Sequence, residues 1–179
     1  IDSGYFQDHE DLPNATGGYS QVDDNWARDG FGHGSHVGGT IAAENNAYGV
    51  VGVTPGTVSL YIVKFFNDDG NATYASNLVD ALSRCRTAGA NVVSMSQGGS
   101  RSVSTEKTAF LNAYNAGVLS VAAAGNAGTS ALSYPASYDS VMSVAAIDSN
   151  KVVADFSQYN SQVEIAAPGV AVLSTLPYK

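Results

Sequence analysis

What most constrains this chain is an alternation of strand-like and helix-like segments along its middle. Residues 57–66 (TVSLYIVKFF) are rich in β-branched and aromatic side chains and end in the turn-forming Asn67-Asp68-Asp69-Gly70, which predicts a buried strand followed by a loop. A helix is predicted next, over 74–88, where Leu78, Val79, Leu82 and Cys85 recur at helical spacing and Gly89 stands at the position of a left-handed C-terminal cap. The pattern then repeats: a strand over 90–96, a helix over 105–116 with Ser104 as its cap and Gly117 at its end, and a strand over 118–124. Two more strands are predicted at 141–147 and 163–166. Strands that alternate with helices imply right-handed crossovers, so the expected class is α/β: a mostly parallel sheet with helices on both faces. In such sheets binding sites gather at the carboxyl ends of strands.

Length and charge narrow the class further. With 179 residues, 44% of them hydrophobic, the chain is long enough for one α/β core, and a single domain spanning 1–179 is expected. Sixteen acidic against eight basic residues give a net charge of −8 with no basic run, which argues against nucleic acid or an anionic membrane as partner and suits a protein that binds cations. Cys85 is the only cysteine, so the chain holds no internal disulfide and no multi-thiolate zinc site. No apolar run approaches the roughly 18 residues of a membrane span, and no signal pattern opens the chain. Ile1-Asp2-Ser3-Gly4 reads as the end of a strand. Residues 8–32 and 125–139 are polar and Gly/Asn/Ser-rich, and read as loops of the kind that carry binding residues.

Several residues could carry chemistry. Asp2 places a carboxylate at a strand end. His33 lies in Asp29-Gly30-Phe31-Gly32-His33-Gly34-Ser35-His36-Val37-Gly38-Gly39-Thr40, at the start of a glycine-dense helix able to lie deep in a core. Taken alone, the aspartate is a turn residue and the histidine structural. A carboxylate beside His33 would fix its tautomer and stabilise the imidazolium formed during proton transfer. Asn126 follows the small-residue strand end Ala122-Ala123-Ala124-Gly125, where Gly-Asn is also simply a good turn. Gly70-Asn71-Ala72 and Ser96-Gln97-Gly98 read locally as ordinary loop residues, and Glu44-Asn45-Asn46-Ala47-Tyr48-Gly49-Val50 as an Asn-rich turn. His36 reads as a core histidine; zinc at His33 and His36 is disfavoured, with neither H-E-x-x-H nor a third ligand nearby. The two sequons at Asn14 and Asn71 receive no function.

In sum, D-S-G, H-G-S-H-V-G-G-T, S-M-S-Q-G-G, A-A-A-G-N and A-P-G occur in the order and spacing of the subtilase family, and the resemblance runs the length of the chain. It implies a serine endopeptidase in which Asp2 orients His33, His33 is general base and then general acid, and Asn126 donates to the oxyanion. Two segments resemble the family's substrate edges, Gly70, Asn71 and Ala72 on one side and Ser96, Gln97 and Gly98 on the other, between which an extended peptide would add as a middle strand. Ser96, Gln97, Gly98, Ala123, Ala124, Gly125 and Ala127 would line the pocket for the residue before the scissile bond, a large apolar or aromatic one since nothing acidic matches the rim. Tyr74 and Phe66 would close over the next subsites. The family's structural calcium site would be formed here by Asp11, Glu44, Asn46, Tyr48 and Val50, with Ca²⁺ held by carbonyl, amide and carboxylate oxygens. The resemblance also implies a secreted monomer, protein or peptide substrates, a pro-segment inhibitor, and a nucleophilic serine in a G-T-S-x-A context after Lys179, on the same chain or on a carboxyl-terminal fragment. None of the chain's own serines has that full context. A non-catalytic peptide-binding relative is the alternative; a nucleotide-binding domain is more distant, because Gly30, Gly32 and Gly34 have the wrong spacing for G-x-G-x-x-G.

Overall fold

The computed structural model describes residues 1–72 and 75–178. Tyr74, expected to open a helix and to border a subsite, lies outside the described residues. The chain divides into two compact units, Ile1–Ala88 with Leu173–Lys179, and Gly89–Val172. Each has its own parallel sheet. No helix among the described residues is long and apolar enough to cross a membrane.

The first unit contains β1 (Gly17–Ser20), α1 (His33–Ala42), β2 (Tyr61–Lys64) and α2 (Ala75–Thr87). β1 and β2 pair in parallel, Gly17 with Tyr61 through Ser20 with Lys64. Asp2 bridges Lys64 in parallel on the other edge of β2, donating its N–H to the Val63 carbonyl at 3.0 Å and accepting from Phe65 N at 2.6 Å. β1 lies inside a segment expected to be loop. Its sequence, Gly-Gly-Tyr-Ser, has no β-branched residue; the strand is set by pairing, and a Cβ at Gly18 would come within 2.4 Å of the Trp26 ring. β2 is shorter than the predicted 57–66, because Thr57, Val58 and Ser59 are exposed and have no ladder partner among the described strands. α2 buries Leu78, Leu82 and Cys85 of the predicted stripe together with Ala81, leaves Val79 half-buried, and ends at Thr87, two residues ahead of Gly89 with its φ of +87°.

The second unit contains β3 (Val92–Met95), α3 (Ser104–Asn115), β4 (Leu119–Ala123), β5 (Val141–Ile147) and β6 (Val163–Pro168), ordered β3-β4-β5-β6 with every pairing parallel. Alternate residues form rows across one face, Val93–Ser120–Val141 and Met95–Ala122–Ser143, all buried. The predicted strand at 141–147 matches β5, and β6 runs two residues beyond its prediction. Ser104 does not cap α3. It is the first helical residue, and Val103, with extended backbone and no side-chain acceptor, occupies the cap position. The α/β class and the parallel pairing read from the sequence are both present.

Candidate active site

In the first unit Asp2 and His33 meet at hydrogen-bond distance. Asp2 Oδ1 lies 2.7 Å from His33 Nδ1 and also accepts the Ser3 N–H at 2.8 Å. The carboxylate is buried and the imidazole half exposed, 48% for its side chain, so one side of the ring faces the protein and the other is open to solvent. Burial acts to raise the Asp2 pKa, but the hydrogen bond and charge of His33 outweigh it and hold the carboxyl below its ordinary value of 3.8. The reciprocal effect raises His33: the Asp2 hydrogen bond dominates, burial opposes it, and the charges of Asp2 and Asp29 add to it. A carboxylate on Nδ1 keeps a proton there and leaves Nε2 as the basic nitrogen.

His33 is the first residue of α1, and α1 is sunk into the unit through its glycines. A Cβ at Gly34 would lie 2.1 Å from the Gly4 carbonyl oxygen, one at Gly38 2.7 Å from the Tyr5 ring, and one at Gly39 2.2 Å from Thr175 Oγ1. The helix start lacks a capping side chain at its own cap residue, Gly32. Asp29 performs that task from three residues earlier. Its Oδ1 accepts from Gly32 N and Ser3 Oγ, both at 2.8 Å, and its Oδ2 from Ser35 N and Ser35 Oγ, both at 2.7 Å. Ser3 Oγ in turn accepts from Gly34 N at 2.9 Å. The residues flanking Asp2 and His33 therefore share one buried hydrogen-bond network. Sequence reasoning passed over Asp29; an acidic residue just ahead of a helix start was the available signal. Lys64 was also missed, though a lysine inside the apolar run YIVKFF, with aspartates in the loops on both sides, is unusual.

The expected calcium loop is folded around Asp11. This carboxylate is 1% exposed and has no cationic partner among the described residues, while Oδ1 accepts from Asn46 Nδ2 at 2.9 Å and Oδ2 from Val50 N at 2.8 Å. Asn46 Oδ1 accepts from Tyr48 N at 2.9 Å, and Glu44 N donates to the Asp11 carbonyl at 2.9 Å. Asp11, Glu44, Asn46, Tyr48 and Val50 thus belong to one turn system. A buried carboxylate without a cationic partner is a group that a hard divalent cation would neutralise, while the atoms that face it here are the N–H donors Asn46 Nδ2 and Val50 N.

Of the remaining first-unit residues, Gly70 adopts φ +79°, Asn71 accepts from Asn67 N at 3.1 Å, and Ala72 forms an antiparallel bridge with Phe66. In the second unit Ser96, Gln97 and Gly98 follow β3. Gln97 is buried with both amide atoms unpartnered, and a Cβ at Gly98 would meet Ser133 Oγ at 2.5 Å. Ala123 ends β4, and Ala124 donates to the Val144 carbonyl at 2.9 Å. Gly125 turns at φ +115° over Gln158, leaving Asn126 and Ala127 exposed past the strand end. The chain's one Gly-Thr-Ser, residues 128–130, continues Ala131-Leu132. It lies in a loop with Ser130 exposed, and Leu132 stands where G-T-S-x-A calls for alanine.

The description of the subtilase family matches residues 1–178. This chain belongs to the subtilase family. It is 44% identical to subtilisin DY of Bacillus licheniformis, over 99% of this chain and 65% of that protein, and 42% identical to subtilisin E of Bacillus subtilis, over 99% of this chain and 47% of that one. A psychrophilic subtilisin-like protease from Pseudoalteromonas sp. AS-11 has a crystal structure that superposes with a TM-score of 0.92 at 53% identity, covering 98% of this chain and 42% of that chain. The subtilase chain thus spans about half to two thirds of the length of these curated relatives.

Proposed function

We propose that the whole protein is a serine endopeptidase and that this chain contributes its proton-transfer dyad and oxyanion donor. The observation that carries the reading is the 2.7 Å contact between buried Asp2 and half-exposed His33, at the head of a helix sunk into a subtilase unit. A serine in a G-T-S-x-A context outside these residues would attack the scissile carbonyl. His33 Nε2 would take its proton, Asp2 would stabilise the imidazolium, and His33 would return the proton to the leaving amine. The Asn126 amide, exposed at the end of β4, would donate to the oxyanion as the tetrahedral intermediate forms. A peptide would pair as an extended strand with residues 70–72 and 96–98. Its residue before the scissile bond would meet Ala123, Ala124, Gly125 and Ala127, side chains that leave volume and carry no charge, which favours a large apolar or aromatic guest.

Calcium belongs to the same proposal. Asp11 and the oxygens of Glu44, Asn46, Tyr48 and Val50 would hold it, and it would stabilise the fold without taking part in the reaction. A secreted, monomeric enzyme regulated by its own pro-segment completes the reading.

A fluorophosphonate probe on the full-length protein tests the reaction class. Stoichiometric labelling of one serine outside residues 1–179, abolished by His33→Ala, is expected. An unlabelled protein would favour the non-catalytic peptide binder, and labelling of Ser130 would overturn the assignment of the nucleophile. Thermal melts with calcium and with a chelator test the ion site, and identical midpoints would count against it.

A further inference from the structure

The least expected group in the first unit is a lysine with no exposure at all. Lys64, at the end of β2 and opposite Asp2, is 0% exposed, and its Nζ donates to Asp23 Oδ2 at 2.6 Å and to Asp68 Oδ1 at 2.8 Å. An isolated ammonium cannot be buried in this way without losing its proton or its stability. Burial does act to lower the Lys64 pKa, but the hydrogen bonds to Asp23 and Asp68 outweigh it and hold the amine charged.

Asp68 is the hub. Besides Lys64 it accepts from Gly30 N at 3.0 Å through the same Oδ1, and its Oδ2 pairs with Arg28 at 3.0 Å. It fills the space a side chain at position 30 would need, since a Cβ at Gly30 would lie 2.4 Å from Asp68 Cγ. The fit is reciprocal. A Cβ at Gly70 would lie 2.6 Å from the Phe31 ring, whose centroid is 6.4 Å from that of His33. Segments 28–31 and 67–70 therefore interlock, each using a glycine to accept a side chain from the other. One leads directly into His33, the other into the proposed substrate edge.

We propose that Lys64 is a positioning residue that, through Asp68, fixes the substrate edge at residues 70–72 against the segment presenting His33. The inference rests on the peptidase reading above. A peptide strand laid on residues 70–72 brings its scissile carbonyl to the base only if the two segments keep their register, and small displacements between reacting groups are costly in rate. A single-residue ester, which cannot pair with that edge, has no such requirement.

Lys64→Met and Asp68→Asn in the full-length protein separate this role from a merely structural one. Methionine fills the buried volume and leaves Asp23 and Asp68, each about one third exposed at 34% and 31%, to be solvated. Asparagine keeps an acceptor for Gly30 N. For both variants, kcat/KM for a peptide with four or more residues before the scissile bond should fall on the order of tenfold relative to kcat/KM for a single-residue ester. The melting temperature should not account for the split. Should one variant fail to fold, the other still decides. An equal fall on both substrates, or no fall on either, would overturn the positioning role while leaving the peptidase reading intact. A wild-type protein inactive on both substrates would overturn that reading and this one together.

Discussion

Asp2 and Asn126 both stand at the carboxyl end of a strand-like segment, but they are held there by opposite means. Asn126 sits past β4, inside a four-stranded sheet whose buried rows are Val93, Met95, Ala122, Val141 and Ala145, and its placement follows from chain direction and apolar burial. Asp2 belongs to no named strand. It is placed by a single bridge to Lys64 and by neighbours that are buried and polar: Ser3, Asp29, Ser35 and Lys64. Around Asp29 the first unit relies on a satisfied polar network, where removing one partner strands the others, although Asp2 Oδ2 and Gln21 Oε1 are buried without a partner among the described residues. The second unit has no such network on its buried sheet face, where the hydroxyls of Ser120 and Ser143 have no partner among the described residues.

The sharpest test of this contrast is Asp2→Asn, which should lower kcat by about 10⁴ because an amide cannot hold the productive tautomer. It should also move the pH profile. With Asp2 present the His33 pKa lies above 6.5, so kcat/KM is lost as pH falls through a midpoint above that value; without the carboxylate the acid limb should shift downward. An unmoved limb would break the pairing. Linkage has the corresponding signs. The raised His33 favours folding below pH 6.5 and loses that contribution as pH rises through its folded value, whereas the lowered Asp2 contributes above pH 3.8 and loses it in acid.

Smaller is the effect expected at the other strand end. Asn126→Leu should reduce kcat by roughly 10²–10³ with little change in KM, a magnitude established on a subtilisin and transferred here with the role. Unchanged turnover in steady-state assays would remove Asn126 from the oxyanion site.

Two stability measurements complete the comparison. Asp29→Ala strands the Ser3 and Ser35 hydroxyls and the Gly32 and Ser35 N–H groups in a buried site, so a loss of about 3 kcal/mol or more is expected in denaturant titrations. Ser120→Ala removes a hydroxyl with no partner among the described residues and should change stability by less than about 1 kcal/mol, in the favourable direction. Equal losses at the two positions would erase the distinction between the Asp29 network and the unpartnered Ser120 hydroxyl.

The same distinction governs what the sequence revealed. The second unit was legible because its strands follow apolar alternation, and β5 was located to the residue; the bounds of β3, β4 and β6 shifted by one or two residues, and the α3 cap was displaced, since Val103 rather than Ser104 takes the extended conformation. The first unit was legible in its chemistry, with Asp2 and His33 expected together and found 2.7 Å apart. Its scaffolding was not. β1 has no β-branched residue and is set by its pairing with β2, while Asp29 reaches Ser3 across 26 residues and Lys64 reaches Asp23 across 41, links that no local period encodes.

One consequence of α1 reaches into how the chain folds. Three of its ten residues, Gly34, Gly38 and Gly39, each weaken an isolated helix by about 1 kcal/mol relative to alanine, and its first turn has no acidic residue or cap of its own. A segment of that length is marginal in water even with better composition. Its helicity therefore depends on packing, with the Gly4 backbone, the Tyr5 ring and Thr175 receiving its glycine face. His33, the first residue of α1, is thereby tied to that packing. On the peptidase reading, a chain in which that packing is lost has no assembled Asp2–His33 pair, so proton transfer is confined to molecules whose first unit is folded.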